Sequence, residues 1–196
     1  MLYADNEASM DVVTLDMQGI AYGKQGKLDK AISKFSQAIE IDPSYVGAYH
    51  NRALAYKIKG EIDLAIKDYT KAIEIDPKLA QAYNNRGNAY VNKGQLESAI
   101  KDFSKAITIA PKSSTAAVAF NKRGAVFLEQ GKIEKAIADY DAAIEINPKM
   151  AVAFYNRGRA YSELDDVNKV CANYKQACEL GRCGAYFSTK KQDICK

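Results

Sequence analysis

Tryptophan is absent and histidine occurs once, as His50. An imidazole-based metal centre needs several histidines, so that class is excluded, and neither metal nor other cofactor is expected. No apolar run approaches the roughly 20 residues of a membrane-spanning helix. Acids and bases are interspersed, net charge is only +4, and no basic arm or tail stands out. Nucleic acid is therefore not an expected partner. No basic-then-apolar leader opens the chain, and residues 1–11 read as a short polar lead-in. What remains is 196 residues, 47% apolar and 27% charged, enough to bury a core.

Proline is scarce but regular. IEIDP ends at Pro43 and Pro77, ITIAP at Pro111 and IEINP at Pro148, at spacings of 34, 34 and 37. The three extra residues fall around Ser113–Ala116. A fixed period of this length marks a chain built of repeated supersecondary units. Five units are read, at about 12–45, 46–79, 80–116, 117–150 and 151–182, with 183–196 as a C-terminal capping segment.

Each unit reads as two helices. The first carries an aromatic, a small residue four on and an aromatic seven on: Tyr49, Ala53, Tyr56; Tyr83, Gly87, Tyr90; Phe120, Gly124, Phe127; Phe154, Gly158, Tyr161. Those offsets share one helical stripe, and the small residue admits a close neighbour. Gly26, Gly60, Gly94 and Gly131 follow where a helix ends in a left-handed residue. Second helices such as LDKAISKFSQAIEI then run to the proline, which stops them. A phosphate loop in YNNRGNAY, residues 83–90, is excluded, because its glycine lies inside a helix instead of between a strand and a helix.

This pattern resembles the tetratricopeptide repeat over roughly residues 12–182. The signature positions match in the third unit at Tyr83, Gly87, Tyr90, Ala99, Phe103, Ala106 and Pro111. The first unit opens more weakly on Leu15, and the last departs at Asp165, Val170 and Arg182. Atypical terminal units are expected, since one face of each meets solvent. The ending KQACELG also resembles the close of bacterial Sel1-like repeats. The implied fold is all-α, a right-handed α-solenoid of antiparallel helix pairs.

Arginine recurs in the first helices at Arg52, Arg86, Arg123 and Arg157, and aspartate in the second at Asp68, Asp102 and Asp139. The first unit, with Gln18 and Lys34, loses both together, which predicts an Arg–Asp pair within each middle unit. The opposite stripe of the first helices should line the concave side of the solenoid. It carries Asn51, Asn85, Lys122 and Asn156, with Asn84, Asn88, Asn92, Asn121, Tyr155 and Arg159 alongside. In superhelical members of the family a ladder of asparagines at this place holds a peptide backbone. Asn51, Asn85 and Asn156 match it, Lys122 breaks it and Met17 does not join it. An amide both donates to and accepts from one peptide unit. Each such bond is worth about 0.5–1.5 kcal/mol against about 1–2 kcal/mol to order each peptide residue, so apolar pockets must contribute. Met17, Ile20, Leu54 and Ile58 are the candidates at the N-terminal end. Another class of the family clamps the acidic C terminus of heat-shock chaperones with Lys and Arg. The corresponding positions here, His50, Leu54, Asn85, Val118 and Lys122, or Asn84, Asn88, Lys122, Val152 and Asn156, make no such clamp.

All four cysteines lie in the last 26 residues: Cys171, Cys178, Cys183 and Cys195. They are read either as buried small hydrophobes or as disulfide partners. Cys171 and Cys178 stand about 10 Å apart along one helix, too far to bridge each other. Two disulfides would therefore join each of them to Cys183 or Cys195 and staple the terminal segment over the end of the stack. Free thiols suit the cytoplasm, bridged ones a periplasmic or exported protein. The spacing does not suit zinc. No acid, base and nucleophile converge, so no enzyme activity is expected. The reading is a non-catalytic scaffold that takes a protein or peptide in its concave groove. The alternative is an assembly protein that contacts copies of itself through its stack ends or convex face.

Overall fold

The computed structural model describes the backbone of residues 2–191 and 195, and side chains of 11–190 and 195. These residues form eleven helices and no strand: α1 (Leu2–Lys24), α2 (Leu28–Ile41), α3 (Val46–Lys59), α4 (Ile62–Ile75), α5 (Ala80–Asn92), α6 (Leu96–Ile109), α7 (Ser114–Glu129), α8 (Ile133–Ile146), α9 (Ala151–Ser162), α10 (Val167–Glu179) and α11 (Gly184–Lys191). Of the segment expected as a lead-in, residues 2–11 form the start of α1, since LYADNEASMD holds no proline or glycine to stop a helix. The chain divides into two compact units, residues 1–95 and 96–196. In the first, α1 pairs with α2 and α3 with α4, and α5 packs on α4. In the second, α6 packs on α7, α7 pairs with α8 and α9 with α10, and α11 lies against α10.

The glycine turns close the first helix of each pair. Gly26, Gly60, Gly94 and Gly131 have φ of 72°, 82°, 70° and 70°. The next residue donates its N–H to the carbonyl of the second stripe aromatic: Lys27 to Tyr22, Glu61 to Tyr56, Gln95 to Tyr90 and Lys132 to Phe127. This left-handed closure satisfies carbonyls that the helix end would orphan. The last pair reaches the same geometry without glycine. Asp165 adopts φ 54°, and Asp166 donates to the Tyr161 carbonyl.

Second helices end on a different device. Asp42, Asp76 and Asn147 each turn a side-chain oxygen over the following proline to accept the backbone N–H two residues on, at Ser44, Lys78 and Lys149. These are Asx turns. The third unit has Ala110 there and solves the problem with its extra residues. Ser113 caps α7 by accepting from the Ala116 N–H, and α7 gains length to 16 residues.

The core is a lattice of alanines around a few large rings. Tyr69, Phe103 and Tyr140 are fully buried. Small residues make room for the rings: a Cβ added at Gly19 would fall 2.4 Å from the Phe35 ring, at Gly124 2.8 Å from Tyr140, and at Gly158 2.6 Å from Tyr174. Each buried aliphatic or aromatic side chain contributes about 1.5–3 kcal/mol.

Candidate binding face on the first helices

In the first unit α3 touches α1 on one side and α5 on the other, and in the second α7 touches α9. The first helices therefore stand side by side. The repeated arginines tie this layer to the second helices. Arg52 forks onto Asp68, Nε to Oδ2 at 2.7 Å and Nη2 to Oδ1 at 2.9 Å, and Arg123 forks onto Asp139 with both bonds at 2.8 Å. The Arg–Asp pairs are thus present in the second and fourth repeats. In the fifth, Arg157 Nε donates to Asn173 Oδ1 instead.

A second series reaches back to the preceding repeat. Arg52 donates to Ser36, Arg86 to Thr70, Arg123 to Ser104 and Arg157 to Asp141. The guanidinium planes also lie near the stripe aromatics: Arg123 sits 5.4 Å from the Phe120 centroid and 5.8 Å from Phe127. Sequence reading missed the back-contacts, although Ser36, Thr70 and Ser104 recur at the repeat spacing. Each arginine is spent on structure, joining consecutive repeats.

The asparagines behave differently. Asn51 Nδ2 donates to Asp16 Oδ1 at 2.9 Å, Asn85 Nδ2 to His50 Nε2 at 3.0 Å, and Asn156 Nδ2 to Asn121 Oδ1 at 3.0 Å. Each bond spans 35 residues, one repeat plus one residue. Asn51, Asn85 and Asn156 are half-buried, so each amide is braced by the preceding helix yet reaches the surface. Bracing uses one N–H of an amide that carries a second N–H and an oxygen; the Asn51 side chain also meets His50. His50 accepts from Asn85 as a neutral ring; burial holds its pKa below the ordinary 6.5.

Two of the expected groove residues are corrected. Asn84 and Asn121 are buried, 8% and 5% exposed, and do not line an open surface. They sit one residue before the ladder positions, turned 100° into the packing, and Asn121 serves as a brace for Asn156. Asn88 is half-buried, while Lys122 and Arg159 are exposed. Tyr155 stacks on Tyr174 with centroids 5.7 Å apart and has the Arg182 guanidinium 4.2 Å from its own centroid.

Of the apolar candidates, Ile20, Leu54 and Ile58 line a cavity of about 170 Å³ between α1, α2 and α3, floored by Leu28, Ala31 and Phe35. Asn51 is the polar residue on its wall. Met17 is not part of that wall and stands 66% exposed on α1.

At the other end, Cys171 is bonded to Cys195 and Cys178 to Cys183. Together they tie Cys183, just before α11, and Cys195, past its end, to α10. Among the described residues no cluster of His, Cys, Asp and Glu could hold a metal ion, and no helix is long and apolar enough to cross a membrane.

Tetratricopeptide family models match along the chain. The TPR repeat model matches residues 19–60, 54–94 and 124–165, and two tetratricopeptide repeat models match 80–113 and 151–180. Comparison with curated protein sequences finds no match. Several solved structures share the fold. MamA is 26% identical at a TM-score of 0.74, covering 89% of this chain and 96% of its own. PilF of Pseudomonas aeruginosa is 19% identical at 0.84, covering 96% and 88%. YrrB, described as a TPR protein with an unusual peptide-binding site, is 20% identical at 0.72, covering 97% of each chain. With the repeat period, the stripe aromatics, the left-handed turns and family models matched over more than half its length, the chain belongs to the tetratricopeptide-repeat family of protein–protein interaction scaffolds, whose members are generally non-catalytic.

Proposed function

We propose that this chain is an interaction scaffold that holds an extended segment of a partner protein across the exposed face of its first helices, α1, α3 and α5 in particular. The observation that carries the reading is the braced amide. Asn51 and Asn85 are half-buried, and each spends one N–H on the first helix before it. A pre-oriented amide loses little side-chain entropy on binding, so more of its about 0.5–1.5 kcal/mol per hydrogen bond is retained. Main-chain recognition of this kind is tolerant of sequence, and pockets beside it supply the discrimination. The fold supports such a role, as the peptide site described for YrrB illustrates for another chain of the same architecture.

Affinity capture tests the proposal, with wild-type bait beside an Asn51→Ala, Asn85→Ala, Asn88→Ala bait. A partner retained by the first and lost by the second supports it. Equal capture by both moves the working surface elsewhere, and the amides become bracing between helices and nothing more.

A further inference from the structure

Four of the six arginines are bonded inside the fold: Arg52, Arg86, Arg123 and Arg157 each reach a second helix. The other two, Arg159 and Arg182, both stand by Tyr155. The Arg182 guanidinium lies 4.2 Å from the Tyr155 centroid, and Tyr155 stacks on Tyr174. Arg159 follows Tyr155 by four residues on α9, which puts both on one stripe. Burial and the Tyr155 phenol raise the Tyr174 pKa, and the Arg159 charge is close enough to oppose both. Arg159 and Arg182 are exposed, and among the described residues neither is ion-paired or hydrogen-bonded through its guanidinium. The acids nearest in sequence, Glu163 and Glu179, make no ion pair with them.

The layer around them is short of acid. The helices α7 and α9 carry Lys122, Arg123, Arg157 and Arg159 against one acid, Glu129, the last residue of α7. Arg123 and Arg157 are answered by Asp139 and Asp141 of α8. Lys122 is exposed and, among the described residues, has no ion pair either. The backbone of Arg182 is held on both sides. Gly181 before it is left-handed at φ 93°, its own N–H donates to the Ala177 carbonyl at 2.8 Å, and Cys183 after it is bonded to Cys178. A guanidinium presents its N–H donors as a fork that fits a carboxylate through two parallel bonds. Covering the Tyr155 ring alone would need no charge.

We propose that Arg159 and Arg182, beside the Tyr155 ring, form an anion site that takes an Asp or Glu side chain of an extended partner segment, with Lys122 favouring a further acid. The proposal rests on the reading that the first helices are the binding face, and it adds a site in the second unit and the residue class that site selects. Neither arginine stands at a position of the chaperone-tail clamp considered above. Arg182 comes from the loop that the Cys178–Cys183 bond closes, so that bond belongs to the site. Each arginine should contribute roughly tenfold in affinity, between the few-fold of an exposed ion pair and the hundredfold of a desolvated charged hydrogen bond. Part of this weakens as salt rises.

The probe is a library of random twelve-residue peptides displayed on phage, selected on the full disulfide-bonded chain. Selected peptides are then synthesised and titrated by fluorescence anisotropy. Enriched sequences should share an Asp or Glu at one position. Arg182→Gln and Arg159→Gln should each cost roughly tenfold, with the thermal midpoint unchanged because both side chains are exposed. Replacing the shared acid of the peptide by its amide should weaken binding to the wild type and cost little further on the double arginine variant. Arg182→Lys, which keeps the charge and loses the fork, should recover only part of the affinity. Paired Cys178→Ser, Cys183→Ser, with Cys171–Cys195 kept, should lose several-fold by loosening the Arg182 loop.

Peptides that lose affinity to the Asn51→Ala, Asn85→Ala, Asn88→Ala chain, but bind both arginine variants as wild type, overturn the anion site and leave the groove standing. An Arg182→Gln chain with a lower thermal midpoint and unchanged affinity makes Arg182 a cover for Tyr155 and overturns the site. Unchanged affinity in the serine pair removes the disulfide from it. An oligouridylate that binds wild type and not Arg182→Gln, when the peptides ignore that change, assigns the site to nucleic acid and overturns the carboxylate guest. No enrichment, or indifference to every variant, overturns both readings.

Discussion

Replacing Arg123 by Met should destabilise the second unit by about 3 kcal/mol, whereas Asp139→Asn should cost only about 1 kcal/mol. Asp139 has a side chain 8% exposed and takes two hydrogen bonds from Arg123, whose own side chain is 19% exposed. Methionine keeps the apolar stem near Phe120 and Phe127 but leaves a buried carboxylate without its cation. Breaking a buried pair in this way costs about 3–5 kcal/mol, and the low end applies because the guanidinium keeps some contact with water. The fifth repeat shows why the asparagine is tolerated. There Asn173 accepts one bond from Arg157 and donates its amide to the Lys169 carbonyl four residues back. The amide introduced by Asp139→Asn can make the same two bonds; Arg123, bonded back to the neutral Ser104 where Arg157 has Asp141, then keeps its charge through its partial exposure to water. The double variant should therefore cost less than the two singles together, by at least about 1 kcal/mol. Urea unfolding followed by far-ultraviolet circular dichroism, with disulfides intact, measures all four states. An Arg123→Met cost below about 1 kcal/mol, or an Asp139→Asn cost equal to it, would refute the reasoning.

Three further outcomes are expected. His50 is held neutral by burial, so its folded pKa lies below the unfolded 6.5. Below about pH 6.5 the unfolded chain takes up a proton first, so this contribution to stability is full above that pH and declines as the pH falls. Urea midpoints at pH 7.5 and 5.5 should differ for wild type and differ less for His50→Gln, which keeps an acceptor for Asn85. Loss of the Cys171–Cys195 bond, which closes a separation of 24 residues, should cost about 3–4 kcal/mol through chain entropy. Paired serine substitutions read by hydrogen exchange should lose protection in α10 and α11 and leave α1–α4 unchanged. Asp165→Gly should stabilise the turn before α10 by up to about 1 kcal/mol, since a non-glycine residue at φ 54° carries a steric cost. A lower thermal midpoint in that variant would show that the Asp165 side chain supports the turn.

The candidate groove was only partly legible. The period places Asn51, Asn85 and Asn156 on one stripe, and all three are half-buried. Asn84 and Asn121, their neighbours in sequence, were assigned to the same surface, yet both are buried. A helix turns 100° per residue, and a one-residue step at the edge of a stripe decides between solvent and packing. Composition cannot report that step, because asparagine serves in both settings.

The sequence alone determined the repeat. Its period, the stripe of aromatics with a small residue between them and the glycine turns are set by helix geometry and backbone sterics, which act over a few residues. It also determined that Cys171 could not join Cys178, by helical rise. Only tertiary structure decided which remaining cysteine each one meets. Gly181 turns the chain so that Cys183 returns to Cys178, while α11 lies against α10 and Cys195 meets Cys171. Tertiary structure likewise decided that each ladder asparagine is braced by a residue 35 positions earlier, and that an unfilled cavity lies beside one of them. Those features depend on which faces of separate helices become neighbours, and that is settled by packing across the whole layer.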